Sequence, residues 1–304
     1  MKKAFLVLLT VMLIISLVGC NQAAGIYNQA NEAFQAGDYS KAIELLDTIP
    51  EYEKADDLKN QTNAFLDFAT AEQNAEKVNT EIDNVIRPAQ NLLESGKTPF
   101  DETTISPVEK AISSLQEEKI EIRSMPDDTN SIMAEVERMK KLPDYTEKQT
   151  VLQNAQKALE NSIKQMEQVT NPSGDFVKER LARIESVGEI ACVTEENDPN
   201  GQLNKPGGYT AAVIFESALV NQAEVYGSDL IEKGTLAGGC IEVYQTVENA
   251  MSRDTYLAAF DGSVLCSGSH IVLGTIVIRA SDNLTATQQK ELTEQITNIL
   301  LELQ

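Results

Sequence analysis

Glu196, Asp198 and Asn200, followed at once by Gly201, are the residues of this chain whose types and spacing come nearest to chemistry. Alternate side chains on a short loop can turn their oxygens toward a common point, which suits a hard cation, and the glycine allows the sharp bend behind them. The acidic position that would complete such a calcium loop falls on Gly207, so two strong oxygens are missing. Asp, Pro, Asn and Gly also build ordinary turns by bonding to their own backbone or accepting positive φ. The stretch from Glu195 to Gly208 therefore reads first as a strand-to-strand turn with no ligand. A weak Ca²⁺ site, resembling the first half of an EF-hand, and a clamp for a polar ligand are the alternatives.

Three cysteines of the body, Cys192, Cys240 and Cys266, and the single histidine, His270, form the second candidate set. All three thiols lie in or beside apolar runs, so burial as small hydrophobic residues is the first expectation. A Cys240 to Cys266 bridge is the alternative, since three cysteines leave an odd thiol. A zinc site with His270 lacks the usual close cysteine pair. Ser267 and Ser269 flank His270 and invite a hydrolase reading. No glycine-framed elbow surrounds either serine, and neighbours on a strand face opposite ways, so no complete nucleophile, base and orienter can be assembled.

The leader fixes where the chain works. Lys2 and Lys3 precede the apolar run Ala4 to Leu17, and Leu17-Val18-Gly19-Cys20 ends it with small residues, the layout of an export signal too short to be a secure span. The tetrapeptide resembles the bacterial lipobox. That resemblance implies cleavage before Cys20, a diacylglycerol on its sulfur, and attachment to the outer face of the cytoplasmic membrane of a Gram-positive cell, residues 21–25 serving as tether.

Composition bounds the partners. The 304 residues carry a formal charge of −22, which becomes −24 once Lys2 and Lys3 leave with the leader. Such a surface repels nucleic acid and anionic headgroups, leaving the lipid on Cys20 as the membrane contact. With 42% hydrophobic residues the chain buries proper cores, and the absence of tryptophan argues against an indole-stacked carbohydrate platform.

These residues need elements to hold them. Residues 26–170 read as helices: a pair built on Ile26, Tyr27, Ala30, Ala33 and Phe34, then Ala42, Ile43, Leu45, Leu46 and Ile49, turned at Gly37-Asp38-Tyr39. The pair resembles one tetratricopeptide unit, and a single unit must pack on the helices that follow. Further seams run from Phe65 to Leu92, bent or split at Pro88, from Ser106 as N-cap with Pro107 and Glu109, and from Leu152 to Met166. Their expected form is an antiparallel bundle. Beyond Asn171-Pro172-Ser173-Gly174, a linker or tight corner, the period changes to strands at Ile190 to Thr194, Thr210 to Phe215, Cys240 to Tyr244 and Thr275 to Ile278. Helices opened by Thr246 and by the Thr285/Gln288 capping box alternate with the later strands. Residues 171–304 are thus expected to be an α+β sandwich with helices on one face, a ferredoxin-like variant being one form of it, and the chain as a whole is α+β.

Glu196-Asn197-Asp198-Pro199-Asn200-Gly201, Lys205 to Thr210, Gly238 to Tyr244 with Arg253, and Gly274 to Arg279 together resemble an uncharacterised domain of Gram-positive surface lipoproteins. The likeness implies an extracytoplasmic lipoprotein and assigns no functional residue. The expected function is a non-catalytic binding or scaffolding module for a protein or envelope component, needing no cofactor. The alternative is an extracytoplasmic hydrolase using His270.

Overall fold

The computed structural model describes residues 22–263 and 268–303. The leader, Cys20, Cys266 and Ser267 lie outside the described residues. Among those described, no helix is long and apolar enough to cross a membrane. Contacts divide the chain into two units, one of residues up to 90 with 110–152, the other of 91–109 with 153–304.

The first unit is helical. Helix α1 covers 22–35, so part of the stretch expected as tether is already helix. Gly37, at φ 78°, turns the chain, and the Asp38 carboxylate caps α2 (Tyr39–Asp47) by accepting from the Lys41 amide at 3.2 Å. The small residues Ala30, Ala33 and Ala42 let these two helices meet closely, and Phe34, Leu46 and Ile49 pack on Ala55 and Leu58 at the start of α3 (Ala55–Glu94). The tetratricopeptide-like pair thus buries its face on the following helix. Helix α3 runs through Pro88 as 40 residues, so the proline does not split it. Helix α5 (Thr129–Met139), capped by Asp128, lays Ile132, Val136 and Met139 on Ala64, Phe68 and Ala71 of α3.

Helix α4 (Ile105–Gln116) corrects one expected start. Asp101, not Ser106, is the cap: it accepts from the Thr103 amide at 2.9 Å and opens a 3₁₀ turn, Glu102–Thr104, that feeds straight into the helix. With the chain already turning from Asp101, Ser106 lies inside the helix.

The second unit holds all the described strands, β1 (Val187–Cys192), β2 (Tyr209–Ser217), β3 (Gly238–Tyr244), β4 (Ser269–Leu273) and β5 (Ile276–Ala280). Their order is β1-β2-β3-β5-β4 and every neighbouring pair is antiparallel. Helices cover both faces rather than the expected one. Val213, Phe215, Ile241, Val243, Ile276 and Ile278 point to one side, where α7 (Gly174–Leu181) and α10 (Ala286–Leu301) pack together with Val169 at the end of α6 (Thr146–Gln168). Ala212, Ile214, Cys240, Tyr244 and Val277 point to the other, under α9 (Val247–Ala258) and the single turn α8 (Leu230–Lys233). Strands buried on both faces must be apolar at nearly every position, which is how β2, β3 and β5 read.

Of the two readings of Asn171 to Gly174, the structure is a tight corner. Asn171 sits at φ 47°, its amide donates to Thr275 Oγ1 at 2.6 Å, and its side-chain oxygen accepts from Thr210 Oγ1 at 2.6 Å. Gly238 and Gly239 begin β3. A Cβ on Gly239 would meet the Phe215 ring at 2.3 Å and the Arg279 carbonyl at 2.5 Å, so only glycine lets the strand pass there.

Candidate ligand cleft

The site begins with a charge where the pattern calls for an apolar residue. Cys240, Glu242 and Tyr244 alternate onto the α9 face of β3, and Glu242 is only 1% exposed. A buried carboxylate needs partners. Arg253 supplies two, its Nε donating to Oε2 at 2.8 Å and its Nη2 to Oε1 at 2.9 Å, a bidentate fork. Arg279 Nη1, from β5, donates to Oε1 at 2.8 Å, and the Tyr244 hydroxyl donates to Oε2 at 2.8 Å. Burial alone would raise the Glu242 carboxyl, but the guanidiniums of Arg253 and Arg279 and the Tyr244 hydroxyl hold it below its ordinary value. The same burial, together with the Glu242 charge, pushes the Tyr244 phenol upward, so it stays a donor.

Helix α9 delivers Arg253 because Thr246 fixes its start, accepting from the Asn249 amide at 3.3 Å. From that origin Asn249, Ser252, Arg253 and Tyr256 fall along one flank at helical spacing. The Arg253 guanidinium carbon lies 5.4 Å from the centre of the Tyr256 ring.

The facing wall is the loop singled out in the sequence. Asp198 Oδ1 accepts from the Asn200 amide at 3.0 Å, Oδ2 accepts from the amides of Gln202 and Leu203 at 2.6 and 2.7 Å, and the Tyr209 hydroxyl donates to Oδ1. Burial opposes its charge, but the Tyr209 hydroxyl and these three amides outweigh it and lower the Asp198 carboxyl. Asp198 therefore organises the loop. Asn200 stands beside it at the cleft, whereas Glu196 is exposed. Gly207, at φ 77°, and Gly208, whose added Cβ would meet the Gln202 carbonyl at 2.0 Å, close the loop on itself. Tyr209 and Tyr244, partners across β2 and β3, meet edge to face with centroids 6.4 Å apart.

Between loop and helix lies a cleft of about 460 Å³, with Asn200, Gln202 and the two glycines on one side, Asn249, Ser252, Arg253 and Tyr256 on the other, and Tyr209 and Tyr244 at the strand ends. That volume is within the range of small-molecule sites. Its lining is amide, hydroxyl, aromatic and guanidinium; Ser252 Oγ donates to the Glu248 carbonyl at 2.8 Å, so it faces no base.

His270 does not line this cleft. It is held elsewhere under α9, its Nδ1 2.6 Å from Asp254 Oδ1 and its Nε2 3.4 Å from Asp261 Oδ1. Cys240 is a free, buried thiol pushed up to about 12 by burial and by the Glu242 charge; Cys192 is also free and is raised, chiefly by burial. Among the described residues no group of three His, Cys, Asp or Glu is placed to hold a metal.

Sequence reasoning found the loop and missed the cluster that faces it. The missed signal is legible: in Gly-Gly-Cys-Ile-Glu-Val-Tyr a carboxylate sits at an inward position between Cys240 and Tyr244, and a charge there demands cations, which Arg253 and Arg279 provide. Compared with protein-family models, curated proteins and solved structures, the chain has no match.

Proposed function

We propose that this chain is a membrane-anchored extracytoplasmic lipoprotein, held by a lipid on Cys20, whose α+β unit binds a small polar group of a protein or envelope component without catalysis. The observation that carries the binding reading is the cleft itself. Its walls are set before any ligand arrives, one by Asp198 and one by the fork of Arg253 on Glu242, so little ordering entropy opposes binding. Among the described residues lining it, no nucleophile is paired with a base, which favours binding over turnover. The anchor rests on the leader, whose Leu17-Val18-Gly19-Cys20 ending supports it.

Two experiments test the reading. Cys20→Ala should shed or misprocess the protein, and unchanged membrane retention would contradict the anchor. Gly208→Ala should distort the loop that walls the cleft, because the new methyl collides with the Gln202 carbonyl. Undiminished capture of the native partner by a folded Gly208→Ala protein would contradict the cleft.

A hydrolytic reading is favoured by one observation, the His270 to Asp254 bond, which orients an imidazole as a base is oriented. Turnover that disappears in His270→Ala would support it over binding.

A further inference from the structure

The cleft contains a cation with donors to spare, and we infer that its ligand carries a single carboxylate that pairs with Arg253. This rests on the reading of the cleft as a binding site. Arg253 spends Nε and Nη2 on Glu242, and among the described residues Nη1 has no partner. A guanidinium has five N–H donors, so the Nη1 pair remains for a ligand. Arg253 is the arginine that borders the cleft, and its fork on Glu242 fixes the direction of the free edge.

The remaining lining says what the carboxylate is attached to. The Tyr256 ring, 57% exposed and lying beneath the guanidinium, offers a flat apolar surface. The amides of Asn200, Gln202 and Asn249 each offer a donor and an acceptor, which suits amide or hydroxyl groups. Among the described residues lining the cleft, Arg253 is the one cation, so a monoanion is matched and a phosphate dianion is not. The charge of −22 opposes any anion at long range, but salt screens that repulsion over about 10 Å while a partly buried contact pair is screened much less. Raising salt from roughly 0.02 to 0.15 M should therefore leave carboxylate binding undiminished.

The test is calorimetric titration of the full-length chain in detergent with three probes: N-acetylalanine, its uncharged carboxamide, and inorganic phosphate. N-acetylalanine should bind in the roughly millimolar range or tighter, and the carboxamide about tenfold or more weakly. Phosphate should bind more weakly than N-acetylalanine. Tyr256→Ala, which removes an exposed ring and leaves the Glu242 cluster intact, should weaken N-acetylalanine severalfold. The carboxamide binding as tightly as the acid, or phosphate binding more tightly, overturns the carboxylate inference and leaves the cleft standing as a neutral or differently charged site. Acid binding unchanged by Tyr256→Ala places the anion elsewhere and overturns the inference. Heat from none of the probes overturns the inference and counts against the cleft as a small-molecule site.

Discussion

Replacing Glu242 by Gln should cost this protein far more than its near-identical shape implies. The carboxylate accepts two bonds from Arg253, one from Arg279 and one from Tyr244, at 1% exposure. Glutamine keeps one accepting oxygen and turns a donor toward a guanidinium, while the negative charge that compensates two cations disappears. Breaking a buried ion pair by removing one partner costs about 3–5 kcal/mol. Arg253 and Arg279 keep 22% and 12% side-chain exposure, so water relieves part of the loss and the low end, about 3 kcal/mol, applies. For a cooperative unit of about 170 residues this lowers Tm by roughly 6–12 °C. Scanning calorimetry of the full-length chain reads it directly. A companion triple variant, Glu242→Met with Arg253→Met and Arg279→Met, removes all three charges and should recover most of the lost stability, since apolar replacement of a whole buried ion cluster is often neutral or better. A drop under about 2 °C for Glu242→Gln would refute the argument that the cluster is a tightly coupled, desolvated unit.

Further expectations follow from the same geometry. Stability should be flat from neutral pH down to about 5 and then fall, because Glu242 and Asp198 are both depressed in the fold: each contributes fully above its unfolded value and loses that contribution as pH drops through the lower folded one. The acid limb measured by circular dichroism should be shallower in Glu242→Gln, and an identical limb would count against the assignment. Asp198→Ala should leave three loop amides and the Tyr209 hydroxyl without their acceptor, costing about 2 kcal/mol and speeding hydrogen exchange at 200–203. Millimolar Ca²⁺ should not shift the Tm of the parent protein, since the Asp198 oxygens are already engaged; a shift that Asp198→Ala abolishes would restore the calcium reading. Cys240 should resist iodoacetamide at neutral pH until the protein unfolds, and site-mapped labelling of the native chain would contradict its burial.

Much of the fold was legible because its signals are local. The near-continuous β-branched and apolar runs of β2 and β3, the Thr285/Gln288 capping box at α10, whose two halves both form, and the small-residue faces of α1 and α2 report their element within a few positions. What escaped depends on distant partners. That helices cover both faces of the sheet is decided by which face α9 crosses to, which no local pattern encodes. Strand β4 was read only as the strand that carries His270, and its place at the sheet edge beside β5 is set by pairing that no local pattern encodes. Pro88 left a bend or a split open; the helix runs on through it, with Ile82, Ile86 and Ala89 buried along its packed face. At the site, Asp198 and Asn200 were visible as turn chemistry, but their role as the wall of a cleft requires α9, about fifty residues on. Glu242 was visible too. Its meaning lay in Arg253 and Arg279, which only the folded sheet brings to it.

The claim at the centre of this account is that the α+β unit works through the cleft between the 198–208 loop and α9. Hydrogen exchange of the full-length chain, measured with and without solubilised envelope material from cells that make it, tests that claim most directly. Binding through the cleft predicts slowed exchange at 198–209 and 249–256, lost in Gly208→Ala. Protection confined to the helical hairpin at 22–47, or unchanged in Gly208→Ala, would contradict it.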